Sequence, residues 1–174
     1  MNRRVYLVGF MGAGKSSVGP LVAAQLGWVF VDLDSEIESR EARSIVKIFE
    51  ESGEQYFRAL EGKYLRLISA KDQRVISLGG GAYNLASNRT FVEKQGLSIY
   101  LAASLEKIQE RISFDGTRPL FVGADQIDEL FKLREHSYAM AKICIDTNAL
   151  SVEEVAEEVV KAVRDSWVSY PKHD

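Results

Sequence analysis

The run Gly9-Phe10-Met11-Gly12-Ala13-Gly14-Lys15-Ser16 satisfies G-x-x-x-x-G-K-[ST] at every fixed position. An apolar stretch at residues 5–8 precedes it, and Val18, Leu21, Val22 and Leu26 come after it at helical spacing. That is the strand–loop–helix context the pattern needs to bind phosphate. Glycines let successive backbone N–H groups turn toward one point, and the helix N-terminus adds partial positive charge there. Lys15 is expected to reach the β- and γ-phosphates of a nucleoside triphosphate, and the Ser16 hydroxyl to meet Mg²⁺. Gly12, Ala13, Gly14 and Ser17 complete the expected cradle.

Further groups could receive or steer a phosphoryl group. Asp32 and Asp34 end the second apolar run. Asp32 suits the metal side and Asp34 the acceptor, both pointing the same way if the strand continues; the alternative for Asp34 is an N-cap of the next helix. Arg134 shares a helical face with Ile127, Leu130, Phe131 and Tyr138. A charge on an apolar stripe lines a pocket, pairs internally, or reaches past the stripe to water. Arg58 and Glu61 are spaced for an i,i+3 pair, which is either a plain surface pair or a carboxylate holding an arginine for a bidentate grip. Gly79-Gly80-Gly81 comes directly after a buried run and would allow close backbone approach to a ligand. Arg118 lies in an aperiodic Gly/Pro-containing stretch at 112–124, of the kind that forms lids, where an arginine either stabilises transferring charge or is simply solvated.

These groups need a scaffold. Apolar runs at 5–8, 28–31, 75–78, 98–101 and 143–145 are continuous rather than alternating, which predicts strands buried on both faces. Helical patterns separate them, including Val152, Val155, Val159 and Val163 behind a Ser151/Glu154 capping box. The result is an α/β fold with a parallel sheet. Residues 33–70 read as several short helical segments, and Cys144 as a buried small hydrophobe. At 174 residues the chain is expected to be one domain. A net charge of -3 argues against nucleic acid as a partner, and one Cys excludes an intrachain disulfide framework. No apolar run approaches the roughly 18 residues of a membrane span, and the N-terminal Asn2-Arg3-Arg4 lacks the long apolar core and cleavage site of a secretion signal. A cytoplasmic chain with no membrane or nucleic-acid partner is expected. There is no Asn-Lys-x-Asp guanine motif, and no acid ends the 75–78 run as in motor ATPases.

Taken with Asp-Leu-Asp at 32–34, Phe-Arg-x-x-Glu at 57–61, Ser-Leu-Gly-Gly-Gly-Ala at 77–82, Arg-Pro-Leu at 118–120 and Arg-x-x-x-Tyr at 134–138, the phosphate loop resembles that of the shikimate kinases over nearly the whole chain. The resemblance implies a three-layer P-loop kinase fold with five parallel strands in the order 2-3-1-4-5, a substrate-binding region near 33–61 and a lid near 112–124. It implies ATP-dependent phosphorylation of the shikimate 3-hydroxyl, on the route to chorismate and the aromatic amino acids, by a monomer. Asp34 would be the base at the acceptor hydroxyl; Arg58 and Arg134 would hold the carboxylate, with Glu61 orienting Arg58; Gly79, Gly80 and Gly81 would contact the ring. Lys15 and Arg118 would stabilise the transferring group, and Ser16 and Asp32 would hold Mg²⁺. Arg111 would lie against adenine, with Asn148 in the adenine-side loop. The alternatives are another small-metabolite kinase, such as one for gluconate, and a non-catalytic nucleotide-binding module. Pro20, and His136-Ser137 after Arg134, depart from the family pattern and predict local distortion of their helices.

Overall fold

The computed structural model describes residues 3–112 and 124–168. Each apolar run forms a strand: β1 (Arg4–Val8), β2 (Val29–Asp32), β3 (Arg74–Ser77), β4 (Leu97–Ala102) and β5 (Ile143–Asp146). They pair in parallel in the order β2-β3-β1-β4-β5, the order implied by the resemblance. On β1, Val5 stands opposite Val75 of β3 on one side and Leu97 of β4 on the other. A strand so enclosed has no face left for water, and all of β1 is buried.

The expectation of burial on both faces fails at the sheet edges. β2 and β5 each have one neighbouring strand, and Val29 is 57% exposed. On β5, Ile143 and Ile145 pack toward the core while Cys144 and Asp146 face out. Cys144 is therefore exposed, not the buried residue the apolar run suggested: an edge strand alternates when only one face is covered.

The connecting helices are α1 (Lys15–Leu26), α2 (Leu33–Glu41), α3 (Ile45–Ile68), α4 (Ala86–Gln95), α5 (Leu105–Ile112), α6 (Ala124–Tyr138) and α7 (Val152–Val168). The periodic residues do what their spacing requires: Val18 and Val22 of α1, and Val155, Val159 and Val163 of α7, are buried. The capping box forms, with Ser151 N–H donating to Glu154 at 2.7 Å and Glu154 N–H to Ser151 Oγ at 3.2 Å. α1 and α7 pack together, and the Trp28 and Trp167 rings meet at 5.0 Å. Pro20 is exposed and α1 runs through it unbroken; α6 likewise runs through His136 and Ser137. The distortions expected there are not seen.

Region 33–70 is two helices, the second interrupted at Gly53 (φ 79°, ψ 171°). The break re-aims the C-terminal half of α3, so that Phe57, Leu60, Glu61 and Tyr64 turn inward. The strand after Val31 does not continue as expected. β2 ends at Asp32, and Asp34 sits in the first turn of α2. Most of the expected lid, including Arg118, lies outside the described residues. Among the described residues, no helix is long and apolar enough to cross a membrane.

Candidate active site

Parallel pairing places all five strand C-termini along one edge, the usual ligand edge of an open α/β sheet. From that edge come the phosphate loop after β1, Asp32 and Asp34 after β2, and the glycine triplet after β3. They border a cleft of about 980 Å³. Of the site residues expected from the sequence that lie among the described residues, all but Asn148 line it; Arg118 lies outside the described residues. Asn148 instead braces its own loop, accepting from Ser104 N–H at 2.7 Å and donating to Asp146 at 2.7 Å.

At one end of the cleft, Gly14 caps α1 in the left-handed region (φ 96°), where a side chain would be strained. No side chain caps α1, so the first turn presents its amides to the loop's concavity, ready for an anion. Lys15 is buried and donates to the carbonyls of Gly9 (2.7 Å) and Phe10 (2.9 Å). Arg111 reaches back to the Gly12 carbonyl at 3.0 Å. Asp32, not Asp34, is the N-cap of α2: one oxygen accepts from Ser35 N–H at 3.1 Å and the other from the Ser16 hydroxyl at 3.1 Å. A hydroxyl beside a carboxylate at the foot of the phosphate loop is a hard-oxygen pair that suits Mg²⁺, which keeps most of its shell as water and substrate phosphate. Among the described residues no group of three or more His, Cys, Asp or Glu could hold a metal, and such a shell does not need one.

Across the cleft lies a cationic wall. Arg58 Nη1 donates to Glu61 at 2.7 Å, while Nε and Nη2 donate to Glu54 at 3.2 and 3.0 Å. Glu54, one turn before Arg58, is a partner the sequence reading missed, although its i,i+4 spacing was legible. The two carboxylates take three of the five guanidinium N–H donors and leave two for a ligand. Burial pulls the Arg58 guanidinium down, and Glu61 and Glu54 more than restore it. Burial also holds Arg134 below its ordinary value, with the Arg58 charge acting in the same direction. Two nearby guanidiniums, one disfavoured by desolvation, form a seat for an anion.

The glycine triplet is explained by this wall. None of its members has a positive φ. A Cβ on Gly79 would overlap the Asp34 carboxylate, and one on Gly81 would overlap the Arg58 guanidinium. A Cβ on Gly80 would stand 3.5 Å from Arg134 Nη1. Close approach of functional side chains, rather than a turn, favours glycine at 79 and 81, most strictly at Gly79 against the short Asp34 side chain, while at Gly80 a Cβ would make only ordinary contact. Ile45, Val46, Phe49 and Phe57 supply an apolar side that motif reading could not separate from core.

Glu61 carries a consequence for stability. Its side chain is 1% exposed, and burial raises its carboxyl to about 7 although Arg58 pulls it down. The folded chain thus binds this proton more tightly than the unfolded chain, whose ordinary value is 4.5. The group favours folding most below that value, and its contribution is lost as pH rises from about 4.5 to about 7. Glu61→Gln should flatten the pH dependence of the urea midpoint across that window; a slope equal to that of the parent would contradict it.

A phosphate cradle and an anion seat facing one another in a single cleft, on this sheet order, define a P-loop kinase acting on a small acceptor. Comparison with known proteins narrows the class. The family model for shikimate kinase matches residues 11–164. A shikimate kinase of Geobacter sulfurreducens is 44% identical over 166 residues, covering 94% of this chain and 92% of its own length. The chain belongs to the shikimate kinase family. The solved structure of shikimate kinase from Acinetobacter baumannii in complex with shikimate superposes with a TM-score of 0.90 at 34% identity, over 94% of each chain. A gluconokinase from Sinorhizobium meliloti, at 15% identity and a TM-score of 0.66, shares the fold alone.

Proposed function

We infer that this chain transfers the γ-phosphoryl group of ATP to the 3-hydroxyl of shikimate, giving shikimate 3-phosphate and ADP, a step toward chorismate and the aromatic amino acids. The observation that carries this reading is the placement of Arg58 and Arg134 beside the glycine triplet, with the Asp34 carboxylate against Gly79 in the same cleft as the phosphate loop. That set offers one seat for a carboxylate and one acceptor for a hydroxyl proton, which a hydroxylated acid such as shikimate fills together.

In this reading the α1 amides, Lys15 and the loop backbone hold the phosphates, with Gly12, Ala13, Gly14, Ser16 and Ser17 forming the cradle. Arg111, near the loop, suits the adenine side. Arg58 and Arg134 grip the carboxylate, so the acceptor is oriented before reaction. Gly79, Gly80 and Gly81 let the ring lie close to the backbone. Asp34 accepts the proton of the attacking hydroxyl. Ser16 and Asp32 would hold Mg²⁺, which neutralises phosphate charge when bound. Arg118 joins the transferring phosphate from a lid near 112–124, and residues 33–61 form the substrate-binding region of one domain spanning 1–174. Both halves of the cleft come from one chain, which supports a monomer, and the need for ATP supports a cytoplasmic setting.

A coupled assay for ADP tests the function. ADP release should depend on shikimate and stay at background with gluconate or a nucleoside monophosphate. Release with gluconate and none with shikimate would overturn the assignment.

A further inference from the structure

Behind the glycine triplet is a polar cluster that the proposed reaction does not use directly. Tyr138, the last residue of α6, is fully buried, with its ring 5.5 Å from that of Tyr100. Its hydroxyl donates to the Gly80 carbonyl. Asn84, at the end of a short 3-10 turn over Ala82–Asn84, donates to the same carbonyl at 3.1 Å. The neighbouring carbonyls are also taken: Gly79 accepts from Ala82 N–H at 3.0 Å and Gly81 from Asn84 N–H at 3.2 Å. The triplet is thus held from behind at each residue.

Two further facts tie this cluster to the anion seat. A point one Cβ length from Gly80 lies 3.5 Å from Arg134 Nη1 and 3.8 Å from the Tyr138 hydroxyl, so the three groups converge. The Tyr138 oxygen also offsets, in part, the burial that disfavours the Arg134 charge. Tyr138 is one helical turn after Arg134, so both leave the same face of α6. The Asn84 Oδ1 atom is buried and takes no hydrogen bond among the described residues. A side chain held at that cost is held by what its other end does, and its other end donates to Gly80.

We propose that Tyr138 is a positioning residue for the acceptor: its hydroxyl ties Arg134 to the Gly80 backbone, and Asn84 secures the same carbonyl. Arg134 and Gly80 stand on separate elements, α6 and the loop after β3. The hydroxyl fixes their separation, and that separation sets where a carboxylate sits relative to Asp34. The inference rests on the function proposed above and adds to it a group that touches no substrate.

The test is Tyr138→Phe, which keeps the ring and its packing, alongside Asn84→Ala, in steady-state kinetics with shikimate and ATP varied separately. Loss of one hydrogen bond at a charged group is worth about a tenfold change. The KM for shikimate should rise about tenfold in Tyr138→Phe, with the KM for ATP unchanged within about twofold. Asn84→Ala should move the same constant in the same direction by less. In an Arg134→Ala background, Tyr138→Phe should add no more than about threefold, because the tie is already broken. An unchanged shikimate KM, an equal rise in both KM values, or full multiplication of the two substitutions would overturn the proposal while leaving the function standing. If the parent chain shows no shikimate-dependent turnover, both fall.

Discussion

Asp34→Asn is expected to lower kcat by about 10²–10⁴, the usual contribution of a positioned general base, while ATP affinity stays within about twofold. Asn keeps the size and hydrogen-bonding reach of Asp but cannot take the acceptor proton. Asp34 stands in the first turn of α2, so close to the triplet that any side chain on Gly79 would strike it. It is separate from the pair at the foot of the phosphate loop, where Asp32 accepts from Ser16 and Ser35. In the proposed reaction the two carboxylates would therefore serve different ends despite being two residues apart. Turnover at saturating ATP and shikimate, with ATP binding measured by calorimetry, separates them. A parallel loss of ATP affinity would mean that Asp34 belongs to the nucleotide side.

Arg134→Ala should raise the shikimate KM about a hundredfold or more and leave the ATP KM within about threefold. Truncating one partner of a buried charged hydrogen-bonded pair costs roughly 2–5 kcal/mol, and each 1.4 kcal/mol is tenfold. Arg134 is half-buried on α6, and burial already disfavours its charge. An anionic ligand relieves that cost, which is why the effect should appear in acceptor binding. Arg58 cannot make up the loss, because Glu54 and Glu61 engage three of its five donors and the other two are already given to the carboxylate in this reading. An equal rise in the ATP KM would contradict the division of the cleft into two ends.

Much of the site was legible because its residues obey local rules. The phosphate loop is contiguous, and Arg58 with Glu61 keeps helical spacing. Arg134 was conspicuous because a charge on an apolar stripe needs a reason. Asp34 was placed in the correct cleft for an incomplete reason: the strand stops at Asp32, and the first turn of α2 carries Asp34. Cys144 was misplaced because an apolar run does not say whether its strand is central or at an edge. Asn84 gave no signal, since one Asn in a turn is common and its target, the Gly80 carbonyl, has no side chain to betray it.

The sequence by itself determined the α/β class, the phosphate cradle and the identity of the charged groups, because each depends on periodicity or spacing within a few residues. The tertiary structure decided how those groups face one another. Parallel pairing brings the strand ends to one edge, and the order β2-β3-β1-β4-β5 makes the ends of β2, β3 and β1 neighbours, where the glycines meet Asp34, Arg58 and Arg134. Those contacts join residues tens of positions apart, where no local preference reaches; close packing at the end of the sheet, not propensity, leaves no room for a side chain at Gly79 and brings the Arg58 guanidinium against Gly81.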